Sequence, residues 1–431
     1  MGRPSTRDSR HRVRRSEHSA RRRRALLRGA TALLATGAMA TVLGVAGPAR
    51  AGTPSAEATS GAAKSGEAPK AGEAPKGGEA LVKPGEPSTT ASDVLNELWG
   101  KIELSTLWYL RVVWGNEKAD NFSRAEVGRG YLTLKFKPAK WFESRFTLDT
   151  HQDDSGDWKV RLKYLYGKLK APVETVVVSE PFVELGMVHN PWFDYEENID
   201  NYRAEGAMFL ERNGILNSAD LGATAGVLLG EKLPKDYQAE VSSKWPGRYG
   251  SLAVGFYNGG GYAALEANDN KTFMARASVR PLGFIAPHWS LTYFFVIGKG
   301  NTEAAPRWRL HNFMTSIEHQ YFVLTGQVAL GEGNQKGDAV DGAGDPVDLF
   351  GFSVFGEVKL PWIRSSLIGR YDRFDWDTDG GKSPLSRVIA GDAFHFLPPN
   401  DLLFTMEQVS YSDPGIPTDR ILRATLKIEY P

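Results

Sequence analysis

The chain has 431 residues, no cysteine and a formal net charge of +1, so disulfides and thiolate metal sites are excluded. The near-neutral total hides an imbalance. Residues 1–51 hold 12 of the 52 basic residues and 2 of the 51 acidic ones, which leaves 40 basic and 49 acidic residues, a net charge of −9, in the remainder. An acidic body argues against nucleic acid as a partner.

In chain order, the first element reads as an export signal. Arginines crowd residues 12–28, an Ala/Leu/Gly/Thr-rich stretch runs from about Gly29 to Gly47, and Ala49-Arg50-Ala51 fits a small-x-small cleavage site. The mature chain is expected to begin near Gly52. So many Gly, Ala and Thr residues suit a permanent membrane span poorly. Arg23-Arg24-Ala25-Leu26-Leu27 resembles a twin-arginine signal, a route that exports folded proteins, so the general and the twin-arginine export routes both stay open. Residues 52–92 are low-complexity: Gly-Glu-Ala-Pro-Lys occurs at 66–70 and again at 72–76, and almost no large apolar side chain precedes Leu81. Such a segment cannot bury enough surface to offset its ordering entropy. A flexible periplasmic tether is expected over residues 52–99, an inert spacer or a grip on the cell wall, with one helical turn at Asp93 to Trp99.

From Lys101 onward the texture is that of strands. The predicted runs cover 101–114, 127–138, 142–151, 157–169, 181–189, 219–231, 249–257, 270–280, 288–298, 307–318, 321–331, 348–360, 363–374, 385–396, 401–411 and 420–430. Most match the ~9–11 residues that a tilted barrel strand needs to cross a bilayer. Connections alternate between brief ones (137–141, 318–320, 360–363, 397–401) and long polar ones (116–124, 331–348, 375–384), as on the two rims of a membrane barrel. Two connections, 170–180 and 232–248, exceed that rule.

Residues of opposite character alternate within the runs. The first carries Ile102, Leu104, Trp108, Leu110, Val112 and Trp114 against Lys101, Glu103, Ser105, Tyr109 and Arg111. The fourth sets Trp158, Val160, Leu162, Tyr164 and Tyr166 against Lys159, Arg161 and Lys163. The last sets Leu422, Ala424, Leu426, Ile428 and Tyr430 against Arg423, Thr425, Lys427 and Glu429. Charges of both signs recur on the polar face, as in a solvated lumen, so the apolar face is expected to meet lipid. Trp99, Trp114, Trp141, Trp158, Trp289 and Trp362 sit near strand ends, where interfacial girdles belong. The fold class is therefore all-β, a transmembrane antiparallel β-barrel of sixteen strands behind a flexible N-terminal tether. A soluble, exported β-sandwich that binds a ligand such as a sugar would also alternate and is the competing reading. A non-conducting structural barrel is a third.

Four stretches carry a family resemblance. They are Phe209-Leu210-Glu211-Arg212 with Asp220-Leu221-Gly222 and Gly226; Gly255-Phe256-Tyr257-Asn258-Gly259 with Gly261-Tyr262; Ala275-Arg276 with Arg280-Pro281; and Gly369-Arg370-Tyr371-Asp372-Arg373. On their order and spacing, residues 100–431 resemble the outer-membrane porins of the phosphate-selective porin O and P type. The resemblance implies a sixteen-stranded barrel, usually a homotrimer, in the outer membrane of a Gram-negative-type envelope. It also implies passive diffusion of small hydrophilic solutes or ions. Phosphate preference would need a ladder of lumenal arginines and lysines with few acids. Here Lys135, Arg145, Arg161, Arg276 and Arg370 are mixed with Glu143, Asp149, Glu184, Glu357 and Asp372, so an anion or phosphate preference rests on the resemblance alone. The chain ends on Pro431 rather than an aromatic, which leaves Tyr430 as the terminal assembly signal, one place early.

Residues 191–218 form the longest connection after an upward strand. They carry Asp194, Glu196, Glu197, Asp200, Glu205 and Glu211 against Arg203 and Arg212. Folded into the bore, such a loop would face the basic wall and set a transverse field across the narrowest point; outside it, the loop would be an ordinary solvated one. No catalytic or metal chemistry is expected. Gly380-Gly381-Lys382-Ser383 fails the phosphate-loop pattern because position 376 is Trp. Asp375-x-Asp377-x-Asp379-Gly380 opens like a calcium loop but closes on Ser386 rather than Glu. Asp153-Asp154-Ser155-Gly156-Asp157 reads as a solvated turn. The histidines outside the signal (His151, His189, His288, His311, His319 and His395) form no H-E-x-x-H pair, and no cofactor motif occurs.

Overall fold

The computed structural model describes residues 97, 99–153, 155–376 and 384–430. The expected signal, the tether up to residue 96, the centre of the 375–384 connection and Pro431 lie outside the described residues. Sixteen strands follow one another: β1 Ile102–Glu117, β2 Asp120–Ala139, β3 Phe142–Gln152, β4 Trp158–Lys170, β5 Val178–His189, β6 Ala219–Leu229, β7 Gly250–Tyr257, β8 Thr272–Val279, β9 Trp289–Lys299, β10 Arg307–His319, β11 Phe322–Glu332, β12 Asp348–Leu360, β13 Ser365–Trp376, β14 Leu385–Leu397, β15 Asn400–Tyr411 and β16 Asp419–Tyr430. Each pairs antiparallel with its neighbour. β1 pairs with β16 from Thr106 opposite Tyr430 to Asn116 opposite Arg420, and this closes the barrel. Closure leaves no unpaired sheet edge. It also removes the sandwich alternative, which needs two separate sheets. Among the described residues three short α-helices lie in connections between strands: α1 Phe193–Glu196, α2 Phe209–Arg212 and α3 Lys235–Glu240.

The outward face is apolar. On β7, Leu252, Val254 and Phe256 are exposed, Phe256 at 62 %, whereas its neighbour Tyr257 is 1 % exposed. Leu104, Trp108 and Val112 on β1 and Phe404 and Met406 on β15 follow the same rule. Trp99, Trp114, Trp141, Trp158 and Trp362 are exposed, with Trp289 half-buried. No helix among the described residues is long and apolar enough to cross a membrane; the strands do the crossing, each paired with a neighbour on both sides around the ring.

Strands β6 to β16 begin and end within two residues of the predicted runs. Two expectations fail near the N-terminal end. The connection expected at 116–124 is strand: Glu117 faces Asp120, and only Lys118 and Ala119 turn the chain, both at positive φ (49° and 73°). This is the two-residue hairpin geometry that matches strand twist. Both faces of the ribbon are polar there, so no alternation marks it. The second failure is on β4. The register shifts where Thr147 and Leu148 of β3 face Tyr164 and Leu162, which leaves Lys163 as an extra residue. A bulge of one residue flips every side chain beyond it to the other face. Tyr164 (4 % exposed) and Tyr166 therefore point inward, and Leu165 (52 %) takes the outward place expected for them.

Turns at one rim are tight, as at Lys140-Trp141 between β2 and β3. The other rim carries the longer connections. The buried core lies inside the ring, where Trp192, Phe193, Tyr195, Phe209 and Leu210 of the 190–218 connection pack with Tyr257, Phe294 and Phe374 of the wall.

Candidate functional site

The Asn190 side chain ties the root of loop 190–218, beside the backbone bond from Asn190 N–H to the Ser218 carbonyl (3.2 Å). Asn190 Oδ1 accepts the backbone N–H groups of Trp192 (3.0 Å) and Phe193 (2.9 Å), while Asn190 Nδ2 donates to the Asn217 carbonyl (2.6 Å). The two bonds to Oδ1 satisfy donors that open α1; the one from Nδ2 ties the two ends of the loop together.

From that root the loop reaches inward-pointing residues around much of the ring. Tyr195 Oη meets Ser278 Oγ of β8 (2.8 Å) and accepts from Thr292 Oγ1 of β9 (3.0 Å). Gln327 Nε2 of β11 donates to Glu196 Oε1 (2.5 Å), and Tyr202 Oη donates to Glu357 Oε1 of β12 (2.6 Å). Arg370 Nη1 of β13 reaches Glu205 Oε1 (3.4 Å) and the Ala207 carbonyl (3.3 Å), and Arg111 Nη2 of β1 donates to the Ala204 carbonyl (3.2 Å). Apolar contacts accompany them: Trp192 stacks on Phe294 at 5.3 Å and Phe209 meets Phe374 edge-on at 6.0 Å. Each buried hydrogen bond contributes about 1 kcal/mol net.

Six of the loop's eight predicted charges fall into two groups, with Asp194 and Arg212 outside them. Arg203 bonds both Glu197 and Glu211, a closed triad within the loop. Glu196, Asp200 and Glu205 are buried against the wall. Glu196 accepts from Trp192 Nε1 (2.7 Å) as well as Gln327. Asp200 Oδ1 accepts the Tyr202 backbone N–H (3.0 Å). Burial pushes the carboxyls of Glu196 and Glu205 up to about 7 and raises Asp200, with Arg370 opposing the rise. Asp194 is half-buried, and its backbone carbonyl accepts from Asn198 and Trp245.

The predicted wall bases are not equivalent. Arg161 is paired with Asp149 through Nε (2.9 Å) and Nη2 (2.8 Å), and Arg370 with Asp372 through Nε (2.9 Å). The acids Glu184 and Glu143 are taken by Lys168 (2.9 Å) and Lys170 (2.5 Å). Arg276 is buried and binds no carboxylate; its Nε donates to the Pro191 carbonyl (2.9 Å) and its Nη1 to Ser251 Oγ (2.9 Å). Arg145 lies over the Tyr164 ring (4.6 Å) and meets His189 Nε2 (3.2 Å). Lys135, opposite Arg145 in the ladder, is half-exposed.

The sequence pattern put Lys163 on the polar face of the fourth strand without marking it as a site residue, and it did not mark Arg129, Tyr131, Arg387 or Glu407 as site residues either. Arg129 and Lys163 both donate to Tyr131 Oη, and Lys163 also lies 4.6 Å from the centre of the Tyr131 ring. Among the described residues, Arg129, Lys135, Arg145 and Lys163 have no carboxylate partner. Cation–π contacts stand in for one at Arg129, Arg145 and Lys163. On the β14–β16 side, Glu407 accepts a hydrogen bond from Arg423 Nη1 (2.5 Å) and is ion-paired with Arg387, whose Nε lies 2.7 Å away, with Arg212 of the loop at 3.9 Å. The inward parity of Arg387 and Glu407 within predicted strands was the signal that could have found them. The bulge that turns Tyr164 inward had no such signal.

Ser366, His395 and Asp401 lie on three neighbouring strands, with Ser366 Oγ 3.0 Å from His395 Nε2 and His395 Nδ1 2.6 Å from Asp401 Oδ1. This is the order of a nucleophile, base and orienting acid. Ser366 is only 1 % exposed, and its hydroxyl is also 2.8 Å from Glu357 Oε1. Its backbone belongs to the β12–β13 ladder, where it faces Lys359, so it offers no turn of free N–H groups for an oxyanion. Among the described residues no group of three or more His, Asp or Glu side chains is arranged to hold a metal ion.

No protein-family model matches the chain, and no curated protein matches it. Among solved structures it is similar to Salmonella typhi OmpF in complex with daunomycin, with a TM-score of 0.51 and 11 % identity over 76 % of this chain and 97 % of that one. It is also similar to an anion-selective porin from Comamonas acidovorans, with a TM-score of 0.51 and 8 % identity over 76 % of this chain and 99 % of that one. At these identities the likeness is one of fold: the chain has the closed barrel architecture of porins.

Proposed function

We propose that this chain is an outer-membrane porin through which small hydrophilic solutes and ions diffuse passively, its bore narrowed by loop 191–218. The observation that carries the reading is the run of hydrogen bonds from that loop to inward side chains of β8, β9, β11, β12, β13 and β1. A solvated surface loop has no reason to bury Trp192, Phe193 and Phe209 inside the ring. The outward apolar belt supports lipid as its surroundings. The resemblance to phosphate-selective porins supports a homotrimer, and the expected tether leaves a cell-wall contact through residues 52–92 as part of the proposal. The covered Ser366 favours a channel over an enzyme.

The selectivity we infer is a modest preference for anions. Most lumenal acids are matched by a base on the wall. Arg129, Lys135, Arg145 and Lys163 remain on the β2–β4 side, where Asp194, Glu197 and Glu211 of the loop act on them, while Glu196, Asp200 and Glu205 face Gln327 and Arg370 of β11 and β13. Opposed charges across a narrow gap orient a permeating solute without strongly excluding either sign of ion. Single-channel conductance in a planar bilayer under a KCl gradient tests this. Stepwise conductance with a reversal potential on the anion side is expected. Folded, heat-modifiable protein that gives no steps would leave a structural barrel instead, and a cation-side potential would remove the anion preference.

A further inference from the structure

The β6–β7 connection, residues 230–249, lies on the rim of tight turns, yet it is long and carries α3. Its base continues the ladder beyond the barrel: Leu233 N–H donates to the Pro246 carbonyl (2.7 Å), Arg248 N–H to the Glu231 carbonyl (2.8 Å), and Lys232 bridges Gly247. Arg280, just past β8, clamps it by donating from Nη1 to the carbonyls of Trp245 (3.1 Å) and Gly247 (2.7 Å). Tyr237 of α3 donates to the Pro287 carbonyl (3.2 Å), and its ring lies 5.2 Å from that of His288. The segment is thus pinned at several points along the rim rather than hanging free.

What it holds in place is Trp245. This residue has φ of 48°, a conformation that side chains larger than glycine rarely adopt. A strained backbone kept at one position needs a local reason, and the ring supplies it. Trp245 Nε1 donates to the Asp194 carbonyl of loop 190–218 (3.1 Å). Its ring lies 4.4 Å from the Arg276 guanidinium, whose other neighbour is the Tyr195 ring of the same loop at 4.2 Å. Arg276 is therefore gripped between a ring from each rim's connection, with no carboxylate partner of its own. The Phe182 ring is 5.7 Å away. Gly226 leaves the room: a Cβ there would lie 2.6 Å from the Phe182 ring and 3.1 Å from Trp245 Cη2. The neighbouring Lys244 is exposed and lies within electrostatic reach of Lys135 on β2, on the far side of β3, β4 and β5.

We propose that the β6–β7 connection is a second pore element, which leans into the barrel from the tight-turn rim and steadies the root of loop 190–218 through Trp245 stacked on Arg276. Trp245 is a positioning residue and Lys244 a charge at the mouth of the path. The proposal rests on the porin reading and adds a narrowing at the opposite end from the one that loop 190–218 would make.

The chain has no cysteine, so Lys244→Cys gives one addressable thiol. A bulky, membrane-impermeant thiol reagent on that variant is expected to halve single-channel conductance roughly, with mass measurement confirming the adduct. Trp245→Ala should raise the rate of brief closures about tenfold, because the loop root loses its clamp, whereas Trp245→Phe should recover most of the steadiness through the ring alone. Heat-modifiable mobility checks that each variant is folded. If wild type conducts but the labelled cysteine leaves conductance unchanged, or the thiol does not react, the connection lies outside the path and the proposal fails while the porin reading stands. If Trp245→Ala does not fold, the labelling result decides alone. Folded wild type without conductance removes both.

Discussion

The two faces of the same strands obey different rules. Outward, Leu252, Val254 and Phe256 of β7 are exposed and touch little of the chain. Inward, Ser251, Ala253 and Tyr257 are buried, and Tyr257 Oη meets Thr224 Oγ1 of β6 at 2.7 Å. An outward side chain needs only to suit lipid, and many apolar residues do so equally well. An inward one must fit a particular partner, often on a loop far away in sequence, and the interior is where polar and charged groups are expensive to leave unpaired. Stability and function should therefore be far more sensitive to change inside than outside.

The largest effect expected is inside. Asp372→Ala removes the nearer carboxylate of Arg370 and leaves its buried guanidinium with Glu205 at 3.4 Å, which costs up to about 3–5 kcal/mol by the behaviour of broken buried ion pairs; urea unfolding in detergent or lipid reads it. Replacing Arg370 and Asp372 together by apolar residues should cost much less. Outside, Val254→Lys near the middle of β7 should cost about 2–4 kcal/mol, and Val254→Ala less than about 1 kcal/mol, in the same assay. A Val254→Ala loss as large as that of Asp372→Ala would end the comparison.

Two smaller effects sharpen it on the functional side. Arg129→Gln with Lys163→Gln removes two cations without carboxylate partners and should move the reversal potential toward cations by roughly a twofold change in permeability ratio, with conductance little altered. The smallest effect is that of pH. Because burial raises the Glu196 carboxyl to about 7, the folded protein holds that proton more tightly than the unfolded chain. Its contribution to stability is complete below the unfolded carboxyl value and is lost as pH rises through about 7. Loop 190–218 should thus be steadier in acid, with brief channel closures becoming rarer from about pH 8 to about pH 5. Glu196→Gln should flatten that response; an unchanged slope would place the titration elsewhere.

The legibility of the chain follows the same division. Leu422, Ala424, Leu426 and Ile428 alternate with Arg423, Thr425 and Lys427, and that period survives in β16 because lipid and lumen each impose one demand along the whole strand. Loop 190–218 was legible as long, acidic and following an upward strand. Its contacts were not, since Tyr202 and Glu357 meet across 155 positions. Tyr164 was misplaced because a single extra residue at Lys163 reverses the facing without any change in residue type. The contacts of Trp245 with Arg276 and Asp194 were invisible because it sits in a connection, where no period marks direction.

By itself, then, the sequence determined the strand count, the strand limits from β6 onward and the outward face, all of which depend on local alternation and turn chemistry. Only the tertiary structure decided which charges are paired, which way the residues beyond the β4 bulge point, and where the side chains of loop 190–218 pack. These depend on closure of the sheet and on partners brought together from distant strands, and no short window of residues contains that information.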